Sequence, residues 1–355
     1  MKKLLYFFLG IIIITSVLGF TTLKLASAGG AKTNSNSLTI FNWGEYIDPS
    51  LITKFEKETG YKVNYMTFDS NEAMYEKVKQ GGTAYDIIVP SDYMVQKMAK
   101  EGLLLKFNKS KIKNLNDDDS KLLNPEFDPN NHYSVPYFWG TLGIVYNDMF
   151  IKNPPQTWND LWNPTYKNSI LLTDDTRDVM GMGLIATGSS VNSTNKVQVT
   201  KAYQYLLKLS PNIKAILGDE IMNYMVDNET PMAVVYSGQA EEMTTTNSHL
   251  HYVIPKKTNI WYDNLAIPKT CKNIKAAYAF INFMQEPQNA AKNAEYVGYS
   301  TPNDKAKALL PKAVREDKEY YPNESIIKDD EAYTNISPYW TGVYNDLYLQ
   351  IKMNK

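Results

Sequence analysis

Acidic and aromatic side chains recur where short apolar runs of the sequence end. These places are Asn42-Trp43-Gly44-Glu45-Tyr46, Pro90-Ser91-Asp92-Tyr93, Asp174-Asp175-Thr176-Arg177-Asp178, Tyr236-Ser237-Gly238, Trp261-Tyr262-Asp263 and Gly298-Tyr299, and none of them contains lysine. A carboxylate accepts hydrogen bonds from an ammonium group, whereas an aromatic face attracts a cation and covers methylene carbons. This combination fits a cation with an apolar body, such as a linear polyamine.

Two spacings support this grouping. Trp261 and Asp263 are two residues apart on an apparent strand, so their side chains face the same side of it. Asp175 and Asp178 are three residues apart at an apparent helix start, so they lie on one helix face. Each spacing therefore brings potential ligand contacts together.

The same residues also have structural explanations that the sequence leaves open. Asp174 and Asp175 could cap a helix and favour its dipole. Asp178 alone would be a surface helix residue, and the tryptophans alone would be core residues. Asp263 is harder to explain in this way, because aspartate is depleted in strands.

Alternating strands and helices must position these residues. The pattern predicts strands over 38–41, 62–68, 85–89, 143–146, 169–173 and 233–236, and helices over 51–59, 71–80, 92–100, 200–209 and 276–284. Three strand–helix units within about 65 residues predict a parallel sheet with helices on its faces. We therefore expect an α/β fold of two lobes, with ligand sites at the carboxyl ends of the strands.

Length and composition exclude several functions. The 355 residues suit two domains, and the net charge of −1 argues against nucleic acid, which requires a basic surplus. Cys271 is the single cysteine, so no intramolecular disulfide forms, and with three histidines we expect neither a metal nor a cofactor. His249 and His251 share a face of an apparent strand, so they are the one pair that could contribute to a metal site, and the indication is weak.

The N-terminus has the features of a targeting segment. Lys2 and Lys3 precede an uncharged run over 4–23, which Lys24 ends. Twenty helical residues would cross a bilayer core of about 30 Å, and the lysine pair places the N-terminus in the cytoplasm. The small residues at 26–28 also offer a cleavage site, so a signal peptide and a membrane anchor over 1–37 are both open, with the anchor slightly favoured.

Seven ordered stretches resemble the spermidine/putrescine-binding proteins of bacterial ABC polyamine importers. They are FNWGEYIDPSLITKFEKETG from Phe41, DSNEAMYEKVKQGG from Asp69, YDIIVPSDYMVQKMAKEG from Tyr85, FDPNNHYSVPYFWGTLGIVYN from Phe127, LLTDDTRDV from Leu171, WYDNLAIPK from Trp261 and EYVGYSTPN from Glu295. The resemblance implies a two-lobe periplasmic-binding-protein-like fold that closes on its ligand by a hinge.

The resemblance also implies roles for individual residues. The residues expected around the polyamine methylenes are Trp43, Tyr46, Tyr236, Trp261 and Tyr299. Those expected near the ammonium groups are Glu45, Asp175, Asp178 and Asp263, with Asp263 on an internal nitrogen, and Ser91 and Tyr93 are expected to hold a terminal amine. Gly44, Asp178 and Tyr236 depart from the residues common in the family. Tyr333 falls where glutamine is expected, in a region that aligns poorly, and is left out of the predicted site.

Together these features predict a monomeric, non-enzymatic receptor outside the cytoplasmic membrane. The implied lobes are 38–142 with 262–307, and 143–261 with 308–355. The implied partners are a polyamine such as spermidine or putrescine and the permease subunits of an ABC importer. No P-loop is present, so the ATPase is another chain. A binding protein for another small cation and, more remotely, a secreted hydrolase with paired carboxylates are the alternatives.

Overall fold

The computed structural model describes residues 36–355 as a mixed α/β protein. The strands are β1 (Ser37–Trp43), β2 (Lys62–Phe68), β3 (Ile87–Ile88), β4 (Ser134–Asn147), β5 (Ile170–Thr173), β6 (Ile213–Leu217), β7 (Met232–Tyr236), β8 (Leu250–Val253) and β9 (Ile260–Ala266). Within these residues the α-helices are α1 (Pro49–Thr59), α2 (Asn71–Gln80), α3 (Asp92–Lys100), α4 (Thr176–Ala186), α5 (Lys196–Leu209), α6 (Ile221–Val226), α7 (Ser237–Thr246), α8 (Ile274–Met284), α9 (Pro287–Val297), α10 (Asp304–Leu309), α11 (Lys312–Arg315), α12 (Glu324–Ile327) and α13 (Pro338–Met353).

The first strand–helix units form as the sequence predicts. Asp48 caps α1 by accepting a hydrogen bond from Ser50 N, and Gly60 ends the helix in the left-handed conformation at φ 75°. Ser70 caps α2 in the same way. β1 pairs in parallel with both β2 and β3, so the carboxyl ends of these strands lie at one edge. The predicted parallel sheet is confirmed here.

β4 joins two groups of strands into one nine-stranded sheet. The path is β2-β1-β3-β9-β4-β7-β5-β6, and β8 also pairs with β4. Residues 134–141 of β4 pair antiparallel with β9, and residues 142–147 pair antiparallel with β7 and β8. The strand therefore changes partners near its middle, between Thr141 and Leu142.

Separate hydrophobic clusters lie on the two sides of that change. Phe55, Phe138 and Phe280 belong to one large cluster, built from β1, β9, α1 and α8. Trp158 and Tyr344 belong to another, built from β5, β7, α4, α5 and α13. Each group of strands is thus covered by its own buried apolar residues.

Among the predicted strands, two differ most in length from the expectation. β4 has 14 residues, whereas only 143–146 were predicted, and β3 has two residues where 85–89 were predicted. β4 is buried along nearly its whole length and contains Pro136, Gly140 and Gly143, which are residues typical of turns and not of a long strand.

The predicted N-terminal anchor or signal peptide lies almost wholly outside the described residues. Among the helices of residues 36–355, none is both long and apolar enough to span a bilayer.

Candidate functional site

Asp263 lies at the centre of a buried hydrogen-bonded group. It sits on β9 and is 6% exposed. Ser91 Oγ donates to its Oδ1 at 2.6 Å, and Tyr46 Oη donates to its Oδ2 at 2.7 Å. Ser91 immediately precedes α3 and Tyr46 follows β1, so three elements converge on one carboxylate. The structure therefore brings together three of the predicted site residues.

Burial raises the pKa of Asp263 to about 6, against the opposing effect of its hydrogen bonds from Ser91 and Tyr46. The group is therefore mainly ionised at neutral pH. Each carboxylate oxygen has two lone pairs, so Asp263 retains capacity to accept from a ligand ammonium in addition to these two hydroxyls.

Asp178 is the centre of a second buried group. It is 3% exposed on α4. Tyr333 Oη donates to its Oδ1 at 2.8 Å, and Tyr236 Oη donates to its Oδ2. Burial first, and the charge of Asp175 second, raise the pKa of Asp178 to about 8. Asp178 is therefore mostly protonated at neutral pH in this arrangement.

Asp175 has the structural role that the sequence left open. It is the N-cap of α4, and its Oδ1 accepts from Arg177 N at 2.7 Å and from Asp178 N at 3.0 Å. Burial nevertheless raises its pKa against those bonds. Asp174 points elsewhere and bonds to Lys352 and Tyr348 of α13. Asp175 thus positions Asp178 while remaining close to it.

Aromatic rings connect the two carboxylates. Tyr236 lies 6.2 Å from Trp261, Trp261 lies 5.1 Å from Tyr299, and Tyr299 lies 5.5 Å from Tyr46, all between ring centroids and all edge to face. Tyr236 bonds to Asp178 at one end of this row and Tyr46 bonds to Asp263 at the other. Four of the five aromatic residues predicted around the ligand therefore form a continuous row, and Trp43 is not part of it.

Two glycines allow the row to pack. A Cβ on Gly140 of β4 would lie 2.5 Å from the ring of Trp261, and a Cβ on Gly238 of α7 would lie 2.2 Å from the ring of Tyr299. Both contacts are shorter than side chains tolerate, so a larger residue at either position would displace a ring.

Three of the predicted residues are not part of this row. Trp43 donates from Nε1 to Val89 O at 3.0 Å and packs on Phe68. Glu45 is exposed and has a left-handed backbone at φ 49°. Tyr93 donates to Glu72 at 3.1 Å. None of the three hydrogen-bonds to Asp178 or Asp263.

Sequence reasoning missed three residues of this site. Tyr333, on Asp178, comes from the segment before α13, which has no periodic pattern. Asp92 is 1% exposed. Its Oδ1 accepts a hydrogen bond from Tyr93 N, and its Oδ2 has no partner within the described chain. Burial and, to a smaller extent, the charge of Asp263 raise the pKa of Asp92 well above its ordinary value. Arg177 is 8% exposed and lies beside Tyr333. The DDTRD motif contained the only signal for Arg177.

The composition of the site suits binding of an organic cation. Within residues 36–355, no group of three or more His, Cys, Asp or Glu side chains is arranged to hold a metal ion. His249 and His251 both contact Asp148, at 2.8 and 3.0 Å, on the exposed end of β4 and β8. The site itself offers carboxylate acceptors, hydroxyls and aromatic faces.

Comparisons with known sequences agree with this chemistry. The sequence model of the bacterial extracellular solute-binding proteins matches residues 50–322. Spermidine/putrescine-binding periplasmic proteins of Salmonella typhimurium and Escherichia coli are each 40% identical over 336 residues, which are 94% of this chain and 96% of theirs. A putrescine-binding periplasmic protein of Pseudomonas aeruginosa is 32% identical over 86% of this chain and 89% of its own.

Solved structures of bacterial binding proteins are also similar to this chain. A spermidine/putrescine ABC transporter substrate-binding protein from Streptococcus pneumoniae is 52% identical, with a TM-score of 0.82 over 90% of this chain and 99% of its own. A lipoprotein of Treponema pallidum is 27% identical, with a TM-score of 0.82 over 89% and 99%. The fold is therefore the periplasmic-binding-protein-like one, and the chain belongs to the bacterial extracellular solute-binding proteins.

Proposed function

We propose that this protein captures a linear polyamine, such as spermidine or putrescine, and delivers it to an ABC importer. One observation carries the proposal. Two buried carboxylates, Asp178 and Asp263, stand at opposite ends of a continuous row of aromatic rings. Ammonium groups would bond to the carboxylates, while the rings would cover the methylenes between them.

The names of the relatives support the same ligand class. The proteins at 40% identity are named for binding both spermidine and putrescine, and more distant ones for putrescine alone. The Streptococcus protein is named as the substrate-binding part of an ABC transporter. We extend these roles to this chain, with permease subunits as its partner and a monomeric state.

We propose that the ligand binds between two lobes, 38–142 with 262–307 and 143–261 with 308–355. The change of β4 partners between Thr141 and Leu142 supports the first boundary. The separate hydrophobic clusters support two lobes, but Trp261 and Tyr320, which these bounds give to the second lobe, pack in the cluster of the first. Rotation of the lobes about the β4 crossing would open and close the site.

We assign direct ligand contact first to Asp178, Asp263 and the four rings of the row, Tyr46, Tyr236, Trp261 and Tyr299. Ser91 supports Asp263 and Asp175 supports Asp178 through the hydrogen bonds described above. Trp43, Glu45 and Tyr93 would contribute at the margin of the ligand.

The role is one of binding without chemistry, because the family consists of solute receptors. Its members act outside the cytoplasmic membrane, as the extracellular and periplasmic names state. Tethering by an uncleaved segment over 1–37 is our proposal for how the chain stays near its importer. Mass spectrometry of the native N-terminus tests it, and a mature chain starting after Ala28 would contradict it.

Calorimetry with spermidine, putrescine and spermine tests the ligand class. We expect heat of binding from the full-length protein in mild detergent, and strong weakening on Asp263→Asn, which removes the charge of a buried acceptor. Asp174→Asn is the matched control, because Asp174 bonds to α13 and not to the row. Absence of heat with all three amines would reject the proposed function.

A further inference from the structure

A short segment before α13 connects the candidate site to the β4 crossing. We call residues 332–335 the strap; they follow Glu331 and lie outside helices and strands. Glu331 N donates to Thr258 O at 3.1 Å, and Glu331 O accepts from Ile260 N at 3.2 Å. Ile260 pairs with Thr141 of β4. The strap therefore starts where the chain passes between the two proposed lobes.

Contacts along the strap fix it to the second lobe. Tyr333 Oη donates to Asp178 Oδ1 at 2.8 Å. Thr334 N donates to Asn192 Oδ1 at 2.8 Å. Ile336, directly after the strap, belongs to the hydrophobic cluster of β5, β7, α4, α5 and α13. The strap therefore moves together with the elements that carry Asp178.

A hydrogen bond joins the far end of the strap to the first lobe. Asn335 N donates to Oε1 of Gln96, on α3, at 2.8 Å. Tyr93 lies three residues earlier on the same face of α3. Its ring lies 5.6 Å from the guanidinium of Arg177, and Nη1 of this group donates to Thr334 O at 3.2 Å. One face of α3 is therefore turned toward the strap.

The bond between Asn335 and Gln96 depends on how the lobes are oriented. The strap leads away from the β4 crossing: Glu331 stands beside the crossing, Tyr333 reaches Asp178, and Asn335 comes last. A hinge rotation separates the surfaces of two lobes that lie away from its axis. Opening therefore breaks the bond to Gln96, whereas the bonds of the strap within the second lobe remain.

We propose that Gln96 is a latch, which holds the strap and thereby stabilises the closed, ligand-holding form of the protein. The inference rests on the proposed function and its two lobes, and adds a positioning residue outside the aromatic row. A contact that exists only in the closed form raises the binding-competent fraction by the same factor for every ligand. Gln96 therefore sets the strength of binding and not the choice among amines.

Calorimetry with spermidine and putrescine on the full-length protein in mild detergent tests the latch. We expect Gln96→Ala to weaken the binding of both amines by the same factor, about fivefold, which is the size of effect that one neutral hydrogen bond gives. The ratio of the two affinities should stay that of the unmodified protein. Unchanged affinities, or a loss confined to one amine, would overturn the proposal.

Two further variants separate the latch from a general loss of stability. Gln96→Glu keeps an oxygen acceptor for Asn335 N, so we expect it to bind spermidine at least as tightly as the unmodified protein. Gln350→Ala is the matched control: it removes an acceptor that meets Tyr203 Oη at 2.8 Å within the second lobe, and both affinities should stay unchanged. A loss in Gln96→Glu or in Gln350→Ala as large as that in Gln96→Ala would contradict the proposal.

Stopped-flow fluorescence measures the step at which Gln96 acts. The latch slows opening and therefore ligand release, whereas the ligand meets the open form, in which the bond to Asn335 is absent. We expect Gln96→Ala to raise the dissociation rate of spermidine about fivefold and to leave its association rate unchanged. A loss of affinity carried by the association rate would overturn the proposal. Absence of spermidine binding in the unmodified protein would reject the proposed function itself, and with it this inference.

Discussion

Raising the pH from 6 to 8 is expected to tighten polyamine binding, because Asp178 must lose a proton before it can pair with an ammonium group. Burial and the neighbouring Asp175 raise the pKa of Asp178 to about 8 without ligand. An ammonium at that carboxylate favours the charged form and lowers the pKa in the complex. The complex therefore holds fewer protons than the free protein, so affinity rises with pH up to about pH 8.

The magnitude follows from the same pKa. At pH 7 a group with a pKa of about 8 is roughly 90% protonated, so binding releases about 0.9 proton. Between pH 6 and pH 8 the cost of deprotonating Asp178 falls by about 2.3 kcal/mol, which is about 50-fold in affinity. The pKa of Asp263, raised to about 6 by burial, adds roughly twofold over the same range.

Calorimetry in two buffers of different ionisation enthalpy measures the released protons directly. We expect the observed enthalpy at pH 7 to vary with the buffer in proportion to about one proton. In Asp178→Asn the pH slope between 6 and 8 should fall to the small contribution of Asp263. Identical dissociation constants at pH 6 and pH 8, with no dependence on the buffer, would refute the reasoning.

Three further outcomes follow from the same contacts. Asp178→Asn should raise the free energy of unfolding of the ligand-free protein at pH 7 by on the order of a few kcal/mol. The reason is that the raised pKa of Asp178 makes the wild-type protein less stable as pH rises from about 4 to 8. Urea unfolding measures both proteins, and their free energies of unfolding should become equal near pH 4. Gly238→Ala should weaken binding at least tenfold by displacing Tyr299, whereas Gly342→Ala, whose Cβ meets nothing within 4 Å, should not; calorimetry compares them. Trp261→Phe should abolish most of the change in tryptophan fluorescence on binding, because Trp261 lies inside the row; an undiminished change would place the ligand elsewhere.

The sequence predicted best the elements whose ends are set locally. The bounds of α2 and β2 agree with the prediction. Ser70 and Gly81 fix the two ends of the helix, and apolar and polar residues alternate along the strand. The two-residue period of a strand was enough to predict that Trp261 and Asp263 face the same side. The pairing of Asp178 with Tyr236 was predicted as a shared site, not as a hydrogen bond.

Features that depend on distant contacts were not predictable in this way. β4 contains residues typical of turns, and its length is set by its pairing with β7, β8 and β9. Tyr333 meets Asp178 from 155 positions away, and no local pattern marks it. Asp92 looks like an ordinary acid at a helix start, and only packing buries it.

The position of β9 has a consequence for the order in which the chain can fold. β9 lies between β3 and the first half of β4, so the sheet that begins at Ser37 is not complete until Ala266 has been synthesised. Tyr46 cannot form its hydrogen bond with Asp263 until that residue, 217 positions later, has been synthesised. Pairing over such separations is slow, because a long loop must close first. The first three strands therefore lack their β9 neighbour while they emerge, and a chain that has not yet completed its fold is one that can still be threaded across a membrane.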